Sequence, residues 1–214
     1  MWPTFITLLR VALAFVTVSL FEHGFTYALV AIGLTIVVLW MDSLDGWVAR
    51  RTGQTSDMGA LFDITGDRIV ENVFWIYFAV AGAVHYSVPL IVITRGFLTD
   101  TIRTLGFEKG QTPFGEKTMM RSAWTRFIVA GRFMRGVYGG AKLIVFCALG
   151  AVLAVRQGLE AGRLQPNEPW MRPLEIGTDI LVVVTVVLCV VRGLPVLWDG
   201  RDLLLRQRVP RVRD

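Results

Sequence analysis

The chain has 214 residues, 54% of them hydrophobic, with a mean hydropathy of +0.55 and only 18% charged residues. Soluble domains carry roughly 25% charge, so a water-soluble fold would have to hide several long apolar blocks in one small core, and that class is set aside. The net charge of +5 could point to nucleic acid in a soluble protein, but the placement of the basic residues described below argues otherwise.

Six apolar blocks follow one another along the chain. The first spans about 5–21, and Gly24 separates it from a second over about 26–41 that continues with polar character to Arg51. A turn over 51–56 leads to a third block over about 58–84. The fourth runs over about 88–105, the fifth over 138–155 and the sixth over 176–197. Stretches 85–89 and 156–173, with Gly, Pro and polar residues, break the remaining blocks. The lengths suit membrane-spanning helices, so the expected fold is an all-α integral membrane protein of six transmembrane helices. No repeat or boundary divides it, so residues 1–214 read as one membrane domain. Residues 108–135 form a cytoplasmic or interfacial connection, and 202–214 a basic C-terminal tail. No cleavable signal peptide is expected, because a basic segment is missing before the first apolar block.

Basic residues gather on one side of this layout. Arg50 and Arg51 follow the second block, Arg103 to Arg135 fill the fourth-to-fifth connection, and Arg201, Arg206, Arg208, Arg211 and Arg213 follow the sixth. The opposite side carries basic residues, Arg156, Arg163 and Arg172, only in its last connection. The positive-inside rule therefore puts both termini in the cytoplasm, in a bacterial-type inner or plasma membrane. Anionic lipid headgroups, not nucleic acid, are the simpler partners of this charge. Cys147 and Cys189 lie within apolar blocks and read as small core residues, while His23 and His85 fall at turns on the far side and receive no catalytic role.

The chemistry is concentrated between positions 42 and 67, where Asp42, Asp45, Asp63 and Asp67 stand on or beside apolar helices. Ionisable residues in such segments are costly and mark sites. Asp42 and Asp45 are spaced i,i+3, and Asp63 and Asp67 i,i+4, so each helix presents two carboxylates on one face. The two faces can together supply an all-oxygen site for a hard divalent cation, Mg²⁺ or Mn²⁺. Gly46, Ala49 and Gly59 remove bulk where a ligand approaches the backbone, and Arg50 offers a planar guanidinium for phosphate. The combination points to a pyrophosphate-containing substrate at the cytoplasmic ends of the second and third helices. An ion-coupled transporter is a competing class, but it calls for midplane carboxylates and often a repeated half, neither of which the chain displays.

In order, Asp42, Asp45, Gly46, Ala49, Arg50, Gly59, Asp63 and Asp67 reproduce the spacing D-x2-D-G-x2-A-R-x8-G-x3-D-x3-D, which resembles the signature of the CDP-alcohol phosphotransferase family. The opening Pro3-Thr4-Phe5-Ile6-Thr7-Leu8-Leu9-Arg10 is similar to the family's P-N-x-I-T-x-x-R, with Thr4 in place of Asn. The resemblance implies transfer of a phosphatidyl group from a CDP-linked lipid, usually CDP-diacylglycerol, to a small alcohol with release of CMP. It further implies that Asp42, Asp45, Asp63 and Asp67 hold two divalent ions, that Asp67 also serves as general base, and that Thr7, Gly46, Ala49, Arg50 and Gly59 contact the CDP moiety. Dimers are common in the resembled family, and the Gly-rich and aromatic helix faces permit one.

For the acceptor, Arg68, Arg95, Arg103, Arg132, Arg135 and Lys142 could bind a phosphate, and Arg68, Arg95, Arg135 and Lys142 are the leading four. Ile93-Thr94-Arg95-Gly96 resembles the I-T-R-D of phosphatidylglycerophosphate synthases, and Gly139-Gly140-Ala141-Lys142 loosely resembles their G-K-x-K-T. Asp67-Arg68 is closer to the D-R of phosphatidylinositol phosphate synthases. Glycerol 3-phosphate is the first expectation, followed by inositol phosphate, then inositol or serine.

Overall fold

A computed structural model describes residues 2–52, 57–108, 132–166 and 168–205. Among the described residues there are six α-helices and no strand: α1 (Trp2–Leu20), α2 (Phe25–Thr52), α3 (Asp57–Val80), α4 (Ser87–Glu108), α5 (Arg132–Glu160) and α6 (Met171–Leu205). Each grows from one of the expected apolar blocks, with shifted ends. The third helix stops at Val80 rather than near 84, because a left-handed glycine closes it. The fifth and sixth extend beyond the apolar core at both ends, since polar turns continue a helix wherever water satisfies their outer faces. Most of the 108–135 connection and the tail beyond Leu205 lie outside the described residues.

Two compact units make up the chain, one of Met1–Pro89 with Ala141–Val184, the other of Leu90–Gly140 with Thr185–Asp214. In the first unit α1 packs against both α2 and α3. The buried stripe of α1 is Thr7, Arg10, Ala14 and Thr17, one residue per turn, and Phe21 continues it just past the helix end. Its outward face is Phe5, Leu8, Leu9, Phe15 and Val16. The polarity is inverted relative to a soluble helix, with polar groups inside and large apolar groups outside. Thr17 and Thr35 tolerate burial because their hydroxyls donate to the carbonyls of Leu13 (2.7 Å) and Ala31 (2.8 Å). On α2 the buried residues Ala28, Ala31, Thr35 and Val38 again oppose an outer row of Leu29, Val30, Ile36, Val37 and Trp40.

The centre of this unit is aromatic. Phe74 and Phe146 stack at 5.1 Å, and Trp75 meets Phe146 edge-on at 4.9 Å. Gly150 of α5 lets Phe21 and Ile32 approach: a Cβ there would lie 2.9 Å from the Phe21 ring and 3.0 Å from Ile32. Helices α3 and α5 both end in the same cap. Gly82 (φ 67°) and Gly162 (φ 64°) adopt the left-handed region, and the following residues, Ala83 and Arg163, donate back to Phe78 and Gly158 at 2.8 Å.

The second unit contains most of α4, the first turns of α5 and the last half of α6. Gly193 and Gly200 of α6 are notches in which Arg95 and Ile102 of α4 lie; a Cβ at Gly193 would come 2.8 Å from Arg95 Cγ. Arg192 lies over the Tyr138 ring at 5.2 Å.

By length and composition, two helical stretches can each cross a hydrocarbon core of about 30 Å: Gly136–Glu160 (25 residues) and Met171–Arg201 (31 residues). Phe5–Leu20 and Phe25–Met41 are shorter apolar helices. The apolar runs of α3 and α4 are interrupted by Asp63, Asp67, Arg68 and Glu71, and by Arg95, Asp100 and Arg103.

Candidate functional site

Helix α2 remains helical through Thr52, so Asp42, Asp45, Gly46, Ala49 and Arg50 all belong to its last three turns. Their side chains, and that of Gly59, lie outside the described residues. Helix α3 starts at Asp57, which puts the whole 42–67 pattern on two consecutive helices with four residues between them.

On α3 the acidic residues Asp63, Asp67 and Glu71 recur at i, i+4 and i+8, and hence on one face. Asp63 is half-buried. The Asp67 side chain is 44% exposed, and its Oδ1 accepts a hydrogen bond from Nη2 of Arg10 on α1. Arg10 itself is only 1% exposed. A guanidinium so completely withdrawn from water needs an anionic partner, and Asp67 supplies one. Gly66 makes this contact feasible. A Cβ at that position would overlap the side chain of Thr7, itself buried, and would stand 3.5 Å from Arg10 Nη2. Thus Thr7 and Arg10, one turn apart on α1, both press on the α3 turn that carries Asp67.

One turn further along, Glu71 is 3% exposed and receives two cations: Arg68 Nη1 at 3.4 Å and Lys142 Nζ of α5 at 3.5 Å. Two of the four candidate acceptor residues are therefore brought together by a carboxylate that the motif reading did not single out. Of the other two, Arg95 belongs to the second compact unit, half-buried over Gly193, and the Arg135 side chain lies outside the described residues. Sequence reasoning also left Arg10 without a role. A signal existed for both. Glu71 continues the four-residue rhythm of Asp63 and Asp67, and Arg10 stands one turn after Thr7 in an otherwise apolar helix.

The donor set present suits a hard cation. It consists of carboxylate oxygens, with Asp67 reachable from water and the Asp63 carboxylate partly withdrawn from it. Among the described residues no three His, Cys, Asp or Glu side chains converge into a ligand set, consistent with half of the expected donors, Asp42 and Asp45, lying outside the described side chains.

Comparison with known proteins gives this arrangement a family. A family model for CDP-alcohol phosphatidyltransferase matches residues 1–196, and the chain belongs to that family. It is 33% identical over 92 residues to a CDP-diacylglycerol–glycerol-3-phosphate 3-phosphatidyltransferase of Mycoplasma genitalium, covering 43% of this chain and 36% of the relative. It is 30% identical over 97 residues to an archaetidylinositol phosphate synthase of Aeropyrum pernix, covering 45% and 50%. A glycerol-3-phosphate 3-phosphatidyltransferase of Mycoplasma pneumoniae is 30% identical over 76 residues, covering 36% and 34%. The matched stretches span about a third to a half of these relatives.

Proposed function

We propose that this member of the CDP-alcohol phosphatidyltransferase family transfers the phosphatidyl group of CDP-diacylglycerol to the hydroxyl of glycerol 3-phosphate and releases CMP. The observation that carries this reading is the unbroken D-x2-D-G-x2-A-R-x8-G-x3-D-x3-D spacing on two consecutive helices, of which α3 presents Asp67 to water while Arg10 holds one of its oxygens.

Asp42, Asp45, Asp63 and Asp67 would hold two divalent cations, Mg²⁺ or Mn²⁺, which when bound offset the charge of the pyrophosphate and of departing CMP. Thr7, Gly46, Ala49, Arg50 and Gly59 contact the CDP moiety. The acceptor oxygen attacks the lipid-bearing phosphorus, the bond from that phosphorus to the CMP oxygen breaks, and the acceptor proton passes to Asp67. Arg10 holds Oδ1 of this carboxylate. Arg10 is thus a positioning residue for the base. Arg68 and Lys142 are the acceptor-phosphate residues supported by their convergence on Glu71; Arg95 and Arg135 are the further candidates.

A membrane setting is supported by the large apolar side chains on the outward faces of α1 and α2 and by the two long apolar stretches. Six spans with both termini and the aspartates on the cytoplasmic side best accommodate the distribution of basic residues. Cysteine-accessibility labelling at Ser56 and at Gln165 tests it: Ser56 is expected to label from the cytoplasmic side only and Gln165 from the opposite side only, and labelling of both from one side overturns the layout.

Purified protein with radiolabelled CDP-diacylglycerol, Mg²⁺ or Mn²⁺ and a panel of acceptors tests the reaction. CMP release with glycerol 3-phosphate is the expected result, and no CMP release with any acceptor overturns it. A second acceptor, inositol phosphate, is favoured by the archaetidylinositol phosphate synthase relative and by the Asp67-Arg68 pair. Arg95→Ala raises the acceptor KM more than the donor KM if Arg95 holds an acceptor phosphate.

A further inference from the structure

Three helices of the first unit end at one place. The C-terminal ends of α1, α3 and α5 surround a pocket of about 300 Å³, with Phe21, Glu22, Tyr77, Arg156, Gln157 and Glu160 in its wall. None of these residues belongs to the aspartate signature or to the acceptor candidates.

The electrostatics favour a cation. Each helix C-terminus carries the negative end of its dipole, equivalent to about half an elementary charge. Glu22 and Glu160 add two carboxylates, and among the described residues neither has a hydrogen-bond or ion-pair partner. Arg156 and Glu160 stand at i,i+4, a spacing at which such residues commonly pair. Here Arg156 instead donates to the carbonyl of Gly82 at 3.1 Å, closing the end of α3 and leaving Glu160 to the pocket. The amide of Gln157 adds a directional signal. Its Nε2 donates to the carbonyl of Phe21, which settles the orientation of the amide. Its Oε1 is buried and has no hydrogen-bond partner among the described residues.

Size and wall chemistry narrow the class. A volume near 300 Å³ is many times that of a metal ion. Phe21 and Tyr77, stacked at 5.8 Å, offer apolar and π surface beside the carboxylates. Hydrocarbon next to the ammonium would lie on that surface, and the cation would gain from the Tyr77 ring. An ammonium that still carries N–H groups can donate to the exposed carboxylates of Glu22 and Glu160, which a quaternary one cannot.

We propose that this pocket, at the end of the bundle formed by the C-termini of α1, α3 and α5, binds a primary ammonium group carried on a short apolar chain. An aminophospholipid headgroup and a free alkylamine share that chemistry. The site does not depend on the proposed reaction.

The test is calorimetric titration of the purified full chain in detergent with four probes: hexylamine, hexanol, dihexanoyl-phosphatidylethanolamine and dihexanoyl-phosphatidylglycerol. The two amines are expected to bind at least about tenfold more tightly than their amine-free counterparts. Tighter binding of the phosphatidylethanolamine assigns the site to lipid, and tighter binding of hexylamine assigns it to free amines; either supports the pocket. The double variant Glu22→Gln/Glu160→Gln, on exposed side chains, is expected to keep the melting temperature and CMP release of the parent while losing at least about tenfold in amine affinity. Equal binding of hexylamine and hexanol, no binding of either amine, or unchanged affinity in the double variant each overturns the proposal. Loss of CMP release in the parent leaves these titrations unaffected, so the two readings fail separately.

Discussion

The two ends of the first unit treat carboxylates in opposite ways. On the acidic face of α3, Asp67 meets Arg10, and Glu71 meets both Arg68 and Lys142. At the far end, Glu22 and Glu160 have no such partner among the described residues. Burial accounts for the difference. Arg10 and Glu71 are 1% and 3% exposed, and a charge withdrawn from water to that degree is destabilising unless matched. Glu22 and Glu160 remain exposed, so water can stabilise them until a ligand takes its place. At the acidic face the fold itself supplies the counter-charges, and at the far end two carboxylates are left to water.

Substitutions can break or sharpen this contrast. The largest effect is expected from Asp67→Asn, which removes the base without changing shape. Turnover falls about 10²–10⁴-fold while CDP-diacylglycerol binding is largely kept. Single-turnover CMP release together with a donor binding isotherm checks it, and wild-type turnover would remove Asp67 from its role. Next comes Arg10. Arg10→Gln takes a positive charge away from the acidic cluster, so Mn²⁺ titration is expected to show affinity about tenfold tighter even as kcat falls. Arg10→Lys keeps the charge but not the planar fork, and should leave Mn²⁺ affinity near the parent value with kcat still reduced. A merely structural Arg10 would weaken metal binding and turnover together. Then Glu71→Gln, which removes the buried charge that Arg68 and Lys142 share, is expected to cost about 1–3 kcal/mol of stability, read as a lower melting temperature in detergent. The smallest effect belongs to the exposed end. Glu22→Gln should change stability by no more than about 0.5 kcal/mol. If Glu22→Gln destabilises as much as Glu71→Gln, the division into an end with buried, paired charges and an end with solvated ones is wrong.

Much of the fold could be read from apolar block lengths, because each block is also a helix; the breaks at Gly24 and within 156–173 fall where expected, while α3 ends earlier, at Gly82. The pattern on α2 and α3 was equally legible, since i,i+3 and i,i+4 spacings become faces as soon as a helix forms. The inner stripe of α1 was harder to read. In water the buried face is the apolar one, whereas here Thr7, Arg10 and Thr17 turn inward and the large apolar side chains turn outward. The roles of Arg10 and Glu71 were hidden for another reason. Arg10 meets a residue 57 positions away, and Lys142 reaches Glu71 across 71 positions, so no local window contains either pair. The pocket between Glu22 and Glu160 joins three helix ends from distant parts of the chain.

By itself, then, the sequence determined the helices, the family signature and the kind of chemistry, because these depend on residue type and on spacings shorter than a few helical turns. The tertiary structure alone decided that Arg10 meets Asp67, that Arg68 and Lys142 meet at Glu71 and where two carboxylates are left exposed. Those outcomes depend on the packing of helices far apart in sequence, which sets burial, and burial decides whether a charge must be paired within the fold or can await a ligand.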